Sequence, residues 1–215
     1  MQTKKKKISN GVYIIGTGPG NLKFLSPVSK NIIKSCDIVI ASSRLMAFIP
    51  KGKKIIRLEG KYKECLEFIQ KNALTKKIAV LVSGDPGIFS FSKKVTQILD
   101  SSQYEIVPGV SSLQVACARV GLSWDDLSLV SVHGKSLRGL AMKCEANKKV
   151  IIFCDNKNTP ARIAKYLTRK IKEKAHAVAF GNLSLPDEEI IKSNIISLAK
   201  CKKEWKGLWL LLLTK

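Results

Sequence analysis

The chain has 215 residues (23.7 kDa), 45% of them hydrophobic, with a mean hydropathy of +0.03; this is enough for one large or two small cored domains and excludes a wholly disordered chain. Thirty-eight Lys and Arg against 16 Asp and Glu give a formal charge of +22, a field that gathers anionic partners. The longest purely apolar run, Leu208 to Leu213, is far short of the roughly 20 residues that span a bilayer as a helix.

In chain order, residues 1–11 read as a basic tail, too short in its apolar part for a signal peptide. Val12-Ile15 is a first strand and breaks into Gly16-Thr17-Gly18-Pro19-Gly20-Asn21. Ser26-Pro27 reads as an N-cap with proline at the first helical position, followed by a helix to Cys36 and a strand at Asp37-Ala41. A short strand Ile55-Leu58, a helix Tyr62-Ala73 and a buried strand Ile78-Val82 follow, the last breaking into Ser83-Gly84-Asp85-Pro86-Gly87. Then come a helix over Ser90-Leu99, a strand Tyr104-Val107 and the loop Pro108-Gly109-Val110-Ser111-Ser112, which caps a helix to Val120. In the second half, strands are expected at Ser128-Val132, Val150-Cys154 and Ala175-Phe180, and helices at Ser136-Glu145 and Pro160-Lys170. Glu189-Ile191, Ile195-Leu198 and Leu208-Thr214 read as short strands, so this half carries a mixed sheet with antiparallel pairs. Two α/β lobes are expected, residues 1–115 with a parallel sheet and 116–215 with a mixed one, with a cleft between them.

Three glycine loops at the carboxyl ends of parallel strands would line one small-molecule site. The first is not a dinucleotide fingerprint: Pro19 removes an N–H from the GxGxxG pattern, and the second strand ends in Ala41-Ser42-Ser43 with no acid for a ribose. No GxxxxGK[ST] P-loop is present: Gly134-Lys135-Ser136 has Leu129 where that pattern needs its first glycine. Backbone amides, hydroxyls and the Asp85 carboxylate suit a ligand with adenine, ribose and an amino-acid end; Asp85 also reads simply as an Asx turn, and Ser111 and Ser112 as helix caps. The six cysteines are scattered with no CxxC, so no metal site is expected; they read as small buried hydrophobes of a reducing compartment, hence the cytoplasm. Neither histidine forms a nucleophilic constellation, and Asp125-Asp126 and Glu188-Glu189 are given no catalytic work. The basic excess is nearly all lysine, densest at Lys51-Lys54, Lys170-Lys174 and Lys200-Lys206, with six arginines in all, which speaks against nucleic-acid readout.

With Gly16 to Gly20, Val82-Ser83-Gly84-Asp85-Pro86, Pro108 to Ser112 and the late Gly181-Asn182-Leu183-Ser184-Leu185-Pro186-Asp187-Glu188, the sequence resembles the tetrapyrrole (corrin/porphyrin) methylase family over almost its whole length. Ser42-Ser43-Arg44-Leu45 and the stretch from Gly121 to Lys135 are most similar to the branch that methylates C5 of cobalt-precorrin-7. The resemblance implies the two-lobed methylase fold, S-adenosylmethionine as cofactor, a homodimer, a polycarboxylate corrin substrate, and a separate C15-methyltransferase/decarboxylase in the same pathway. It carries cofactor contacts to Ser83, Gly84, Asp85, Ile88, Ser111, Ser112, Cys154 and Leu183, and the substrate to Pro19, Arg44 and His133. No catalytic acid or base is assigned: Asn21 stands where many members of the family have aspartate. Two other readings stay open, an rRNA ribose 2'-O-methyltransferase of the same superfamily and a non-catalytic basic module that binds nucleic acid.

Overall fold

The computed structural model describes residues 10–171 and 175–215; the basic tail up to residue 9 and the end of the Lys170-Lys174 patch lie outside the described residues. The chain divides into two compact units, the first ending at Ser111 and the second starting at Ser112. No helix is long and apolar enough to cross a membrane among the described residues.

The first unit runs β1 (Gly11–Gly16), α1 (Pro27–Ser35), β2 (Ile38–Ala41), β3 (Lys54–Arg57), α2 (Tyr62–Asn72), β4 (Lys77–Val82), α3 (Ser92–Thr96) and β5 (Tyr104–Val107). Its sheet has the order β3-β2-β4-β1-β5, and the pairings are all parallel. A strand buried on both faces reads as a continuous apolar run rather than an alternating one. Accordingly, in β1 the side chains of Val12 and Ile14 pack with Cys65 and Ile69 of α2 and Val95 of α3, while Tyr13 and Ile15 pack with Ile33 of α1 on the other face. Ser26 caps α1 by accepting the N–H of Ser29 at 3.0 Å, as the Ser-Pro signal requires.

The second unit runs α4 (Ser112–Val120), β6 (Ser128–Ser131), α5 (Leu140–Glu145), β7 (Lys149–Phe153), α6 (Pro160–Leu167), β8 (His176–Gly181), β9 (Glu189–Asn194), α7 (Ile195–Ala199) and β10 (Trp209–Thr214). Its order is β6-β7-β10-β8-β9, with β6 and β7 parallel and the other pairs antiparallel. The fold is therefore α/β with one parallel and one mixed five-stranded sheet, as expected.

Three local expectations are corrected, and one further element was not anticipated. Ile195-Leu198 is the helix α7, not a strand: the Asn194 side chain accepts the N–H of Ser197 at 2.9 Å, and Ile195 and Leu198, three residues apart, share one buried face. The helix expected over Ser90-Leu99 is the single turn and a half of α3, because the Ser90 and Ser92 hydroxyls both donate to Pro86 O and hold the preceding segment as a turn. That expected over Ser136-Glu145 starts only after Gly139, whose φ of +77° no helix admits. Ser43–Phe48 forms a 3-10 helix whose Leu45 and Phe48 are buried against β1 and β2.

Ile14 is fully buried in β1, an interior strand of the first sheet. Ile14→Ala is expected to lower the unfolding free energy by about 2–5 kcal/mol in urea titration; an unchanged midpoint would contradict the packing.

Candidate functional site

Because β4, β1 and β5 are neighbours and parallel, the loops that leave them emerge side by side at one edge of the sheet. Gly16, Gly84 and Gly109 meet there. A Cβ on Gly16 would stand 2.6 Å from both Gly109 N and Gly84 O, and one on Gly109 would stand 2.5 Å from Gly84 O. Any side chain at Gly16 or Gly109 would push the backbones apart. The first loop is tied to the second by Gly84 N–H donating to Gly18 O at 2.7 Å, and by buried Thr17, whose hydroxyl and N–H both donate to Val82 O at 3.1 and 2.9 Å.

Asp85 makes the Asx turn expected of it, Oδ1 accepting the N–H of Gly87 at 2.7 Å. Its Oδ2 also accepts the N–H of Gly109 at 3.1 Å, so one carboxylate joins the β4 and β5 loops. This half-buried group is the only acidic side chain in residues 16–21, 83–88 and 108–112, and those three loops contain no Lys or Arg. In a chain of charge +22, these three loops therefore carry one negative and no positive side chain.

The second unit repeats the device. After β7, Asp155 accepts the N–H groups of Lys157 and Asn158 on Oδ1, at 2.8 and 2.5 Å, and that of Gly134 on Oδ2 at 2.7 Å, tying the β7 loop to the loop after β6. Burial raises its pKa, but the N–H groups of Asn158, Gly134 and Lys157 and the nearby His133 outweigh burial and hold the carboxyl below its ordinary value. Buried Asn158 adds bonds from Nδ2 to Val132 O and Lys135 O at 3.0 and 2.9 Å. Sequence reading passed over Asp155 and Asn158, although Asp-x-x-Asn directly after a strand is itself an Asx-turn signal.

Ser83, Gly84, Asp85 and Ile88 thus lie in one loop, which Asp85 connects to the loop of Ser111, a buried residue; Pro19 lies in the adjoining first loop. Ser112 opens α4. Asn21 caps the short 3-10 turn Leu22–Phe24, accepting the N–H of Lys23 at 2.9 Å. Arg44 stands exposed on the 3-10 helix after β2; neighbouring atoms desolvate its guanidinium and lower its pKa, against the opposing pull of Tyr62 and Glu59. In the second unit His133 is exposed after β6. Cys154 is buried at the end of β7, its thiol pushed well above its ordinary pKa by burial. Leu183 is buried in a turn where Asn182 and Ser184 adopt positive φ. Glu188 closes that turn, accepting the N–H of Ser184 at 2.6 Å and both Nε and Nη2 of Arg119 at 2.6 and 3.2 Å. Arg119 chiefly, with Ser184, holds the Glu188 carboxyl below its ordinary pKa against some burial. Its role is structural, as is that of Glu189, which pairs with Lys203.

Residues 11–199 match the family of tetrapyrrole (corrin/porphyrin) methylases. The chain is 28% identical over 194 residues to a probable cobalt-precorrin-7 C(5)-methyltransferase of Methanocaldococcus jannaschii, covering 87% of this chain and 91% of that protein. It is 28% identical over 179 residues to the cobalt-precorrin-7 C(5)-methyltransferase of Salmonella typhimurium, covering 82% and 87%. Among solved structures, the uroporphyrin-III C-methyl transferase of Thermus thermophilus complexed with S-adenyl homocysteine superposes with a TM-score of 0.77 at 21% identity, covering 95% of this chain and 97% of that one.

Gly109→Ala is expected to cost about 1–3 kcal/mol or more of stability in chemical unfolding, since its Cβ would meet Gly84 O; full stability would mean that the loops do not interlock. The depressed carboxyls of Asp155 and Glu188 stabilise the fold above their ordinary pKa values of 3.8 and 4.5. That stabilisation is lost as pH falls through the lower folded values. Asp155→Asn and Glu188→Gln are each expected to flatten the acid limb of stability against pH; an unaltered slope in both would contradict these shifts.

Proposed function

This chain belongs to the tetrapyrrole (corrin/porphyrin) methylase family, and from that premise we propose that it binds S-adenosylmethionine at the glycine junction and methylates a corrin precursor, at C5 of cobalt-precorrin-7. The observation that carries the reading is the junction itself, where three backbones pack without side chains beside one carboxylate and no cation. Such a donor set fits a cationic sulfonium bearing an ammonium group, and it is a poor host for a triphosphate, which calls for lysine or magnesium. The 28% identity to two cobalt-precorrin-7 C(5)-methyltransferases supports the substrate.

Bound there, S-adenosylmethionine would supply an activated methyl group, its S–CH3 bond breaking to leave a neutral thioether as a carbon–carbon bond forms on the substrate and the substrate gives up a proton. Little acid/base chemistry is then asked of the protein, consistent with Asn21 serving as a helix cap rather than as a base. The chain's own work is positioning. Asp85 holds the β4 and β5 loops in register through Gly87 and Gly109, and its negative charge favours a cation beside it. Thr17 and Gly84 fix the first loop, and with it Pro19, against the second. Holding the two reacting atoms in line supplies much of the acceleration of such a transfer. Ser83, Ile88, Ser111 and Ser112, with Cys154 and Leu183, complete the proposed cofactor contacts. The buried Cys154 thiol, kept neutral by its raised pKa, would act there as an apolar surface. Arg44 is assigned to a substrate carboxylate through a charge-assisted bond, and His133 to the substrate as well. A homodimer and a separate protein for the C15 methylation and decarboxylation complete the proposal.

Equilibrium dialysis with labelled S-adenosylmethionine, followed by mass spectrometry of a cobalt-corrin pool, tests it. Micromolar binding is expected, with one methyl added to the corrin and affinity lowered at least about 10-fold, or 1.4 kcal/mol, by Asp85→Ala and by Ser111→Ala. Methylation of rRNA instead of the corrin would replace this reading with the ribose enzyme, and no binding at all would leave a basic nucleic-acid module.

A further inference from the structure

Far from random in placement, three of the chain's six arginines, Arg138, Arg162 and Arg169, line one groove of about 690 Å³ within the second unit. It runs between α6 and the segment joining β6 to α5, and Lys135, Lys157, Lys165 and Lys170 add four more cations. None of the described residues lining it is acidic. Arg162, Lys165, Tyr166 and Arg169 are spaced three, four and seven residues apart, so they share one face along α6 and the turn that ends it, a stripe of about 10 Å. Like charges set this close repel one another, and among the described residues no carboxylate lines the groove with them.

The groove is also a built feature. Arg162 spends one of its N–H donors on Lys157 O at 3.1 Å, which orients its guanidinium. Beneath it, Asn158 and Asp155 fasten the β6 loop to the β7 loop, fixing Lys135 and Lys157 on a rigid floor. Tyr166 and Leu137, both half-buried, supply an apolar wall.

We propose that this groove binds a nucleotide-sized ligand through clustered phosphates, at a site separate from the glycine junction. Guanidinium forks pair two oxygens of a phosphate at once, and the volume suits a small molecule. A chain of phosphates concentrates its charge over a length comparable to the stripe, whereas the single charges of a macrocycle's carboxylate rim are spread around a wide ring. The inference stands on the groove alone and does not depend on the corrin reading.

Calorimetric titration of the full chain with inorganic tripolyphosphate, ATP, citrate and a short single-stranded RNA tests it. Tripolyphosphate and ATP are expected to compete for one site per chain, with affinity falling at least 10-fold in Arg162→Gln and in Arg169→Gln and with a strong salt dependence. Tighter ATP binding would assign the base to the Tyr166 wall; equal binding would make the phosphates the whole ligand. Lys30→Gln and Lys71→Gln, which remove the same charge from exposed positions of the first unit, are expected to change nothing. S-adenosylmethionine affinity is expected to stay at the wild-type value in the arginine variants, so failure here and failure of the methyltransferase reading are distinguishable. The proposal is overturned if the lysine controls weaken binding as much as the arginine variants, if citrate binds as well as tripolyphosphate, or if only the RNA binds.

Discussion

Three strand ends can serve one small ligand only if their backbones come within van der Waals reach of each other, and in this chain that approach is made by Gly16, Gly84 and Gly109 and locked by the two oxygens of Asp85. The sheet order puts β4, β1 and β5 side by side; glycine removes the side chains that would separate their ends. A carboxylate then ties two of the three loops together through N–H groups that would otherwise need partners. Burial of β1 on both faces anchors the arrangement, since the loop after a strand is as well placed as the strand beneath it.

Much of this was legible in the sequence. Continuous apolar runs ending in glycine loops marked a parallel sheet with its ligand edge, and the short strands of the second half marked antiparallel pairing. What could not be read was reach across the fold. Asp85 and Gly109 are 24 residues apart, and nothing local to either reveals that β1 brings them together. Asp155 and Gly134 are joined in the same manner across β6 and β7. Local ambiguity explains the error at Ile195-Leu198, where a short apolar run fits either period until Asn194 is seen to cap it. The arginines show the opposite lesson: their scarcity argued against nucleic-acid readout and drew no attention to their placement, but half of them converge on one groove.

Charge is distributed accordingly. The three junction loops carry one carboxylate and no Lys or Arg, while the groove beside α6 is lined by seven cations and, among the described residues, by no acid. A uniform coat of lysine would serve solubility alone. Under the two proposals, segregation of this kind would give ligands of opposite charge their own addresses within the chain.

The central claim is that the loops joined by Asp85 form the cofactor platform, and amide chemical shifts of the labelled protein titrated with S-adenosylhomocysteine test it most directly. The expected result is perturbation concentrated on residues 83–88 and 109–112, moved to at least about 10-fold higher ligand concentration in the Asp85→Ala chain. Perturbations confined to other surfaces, with the amides of Gly84 and Gly109 unmoved, would contradict it.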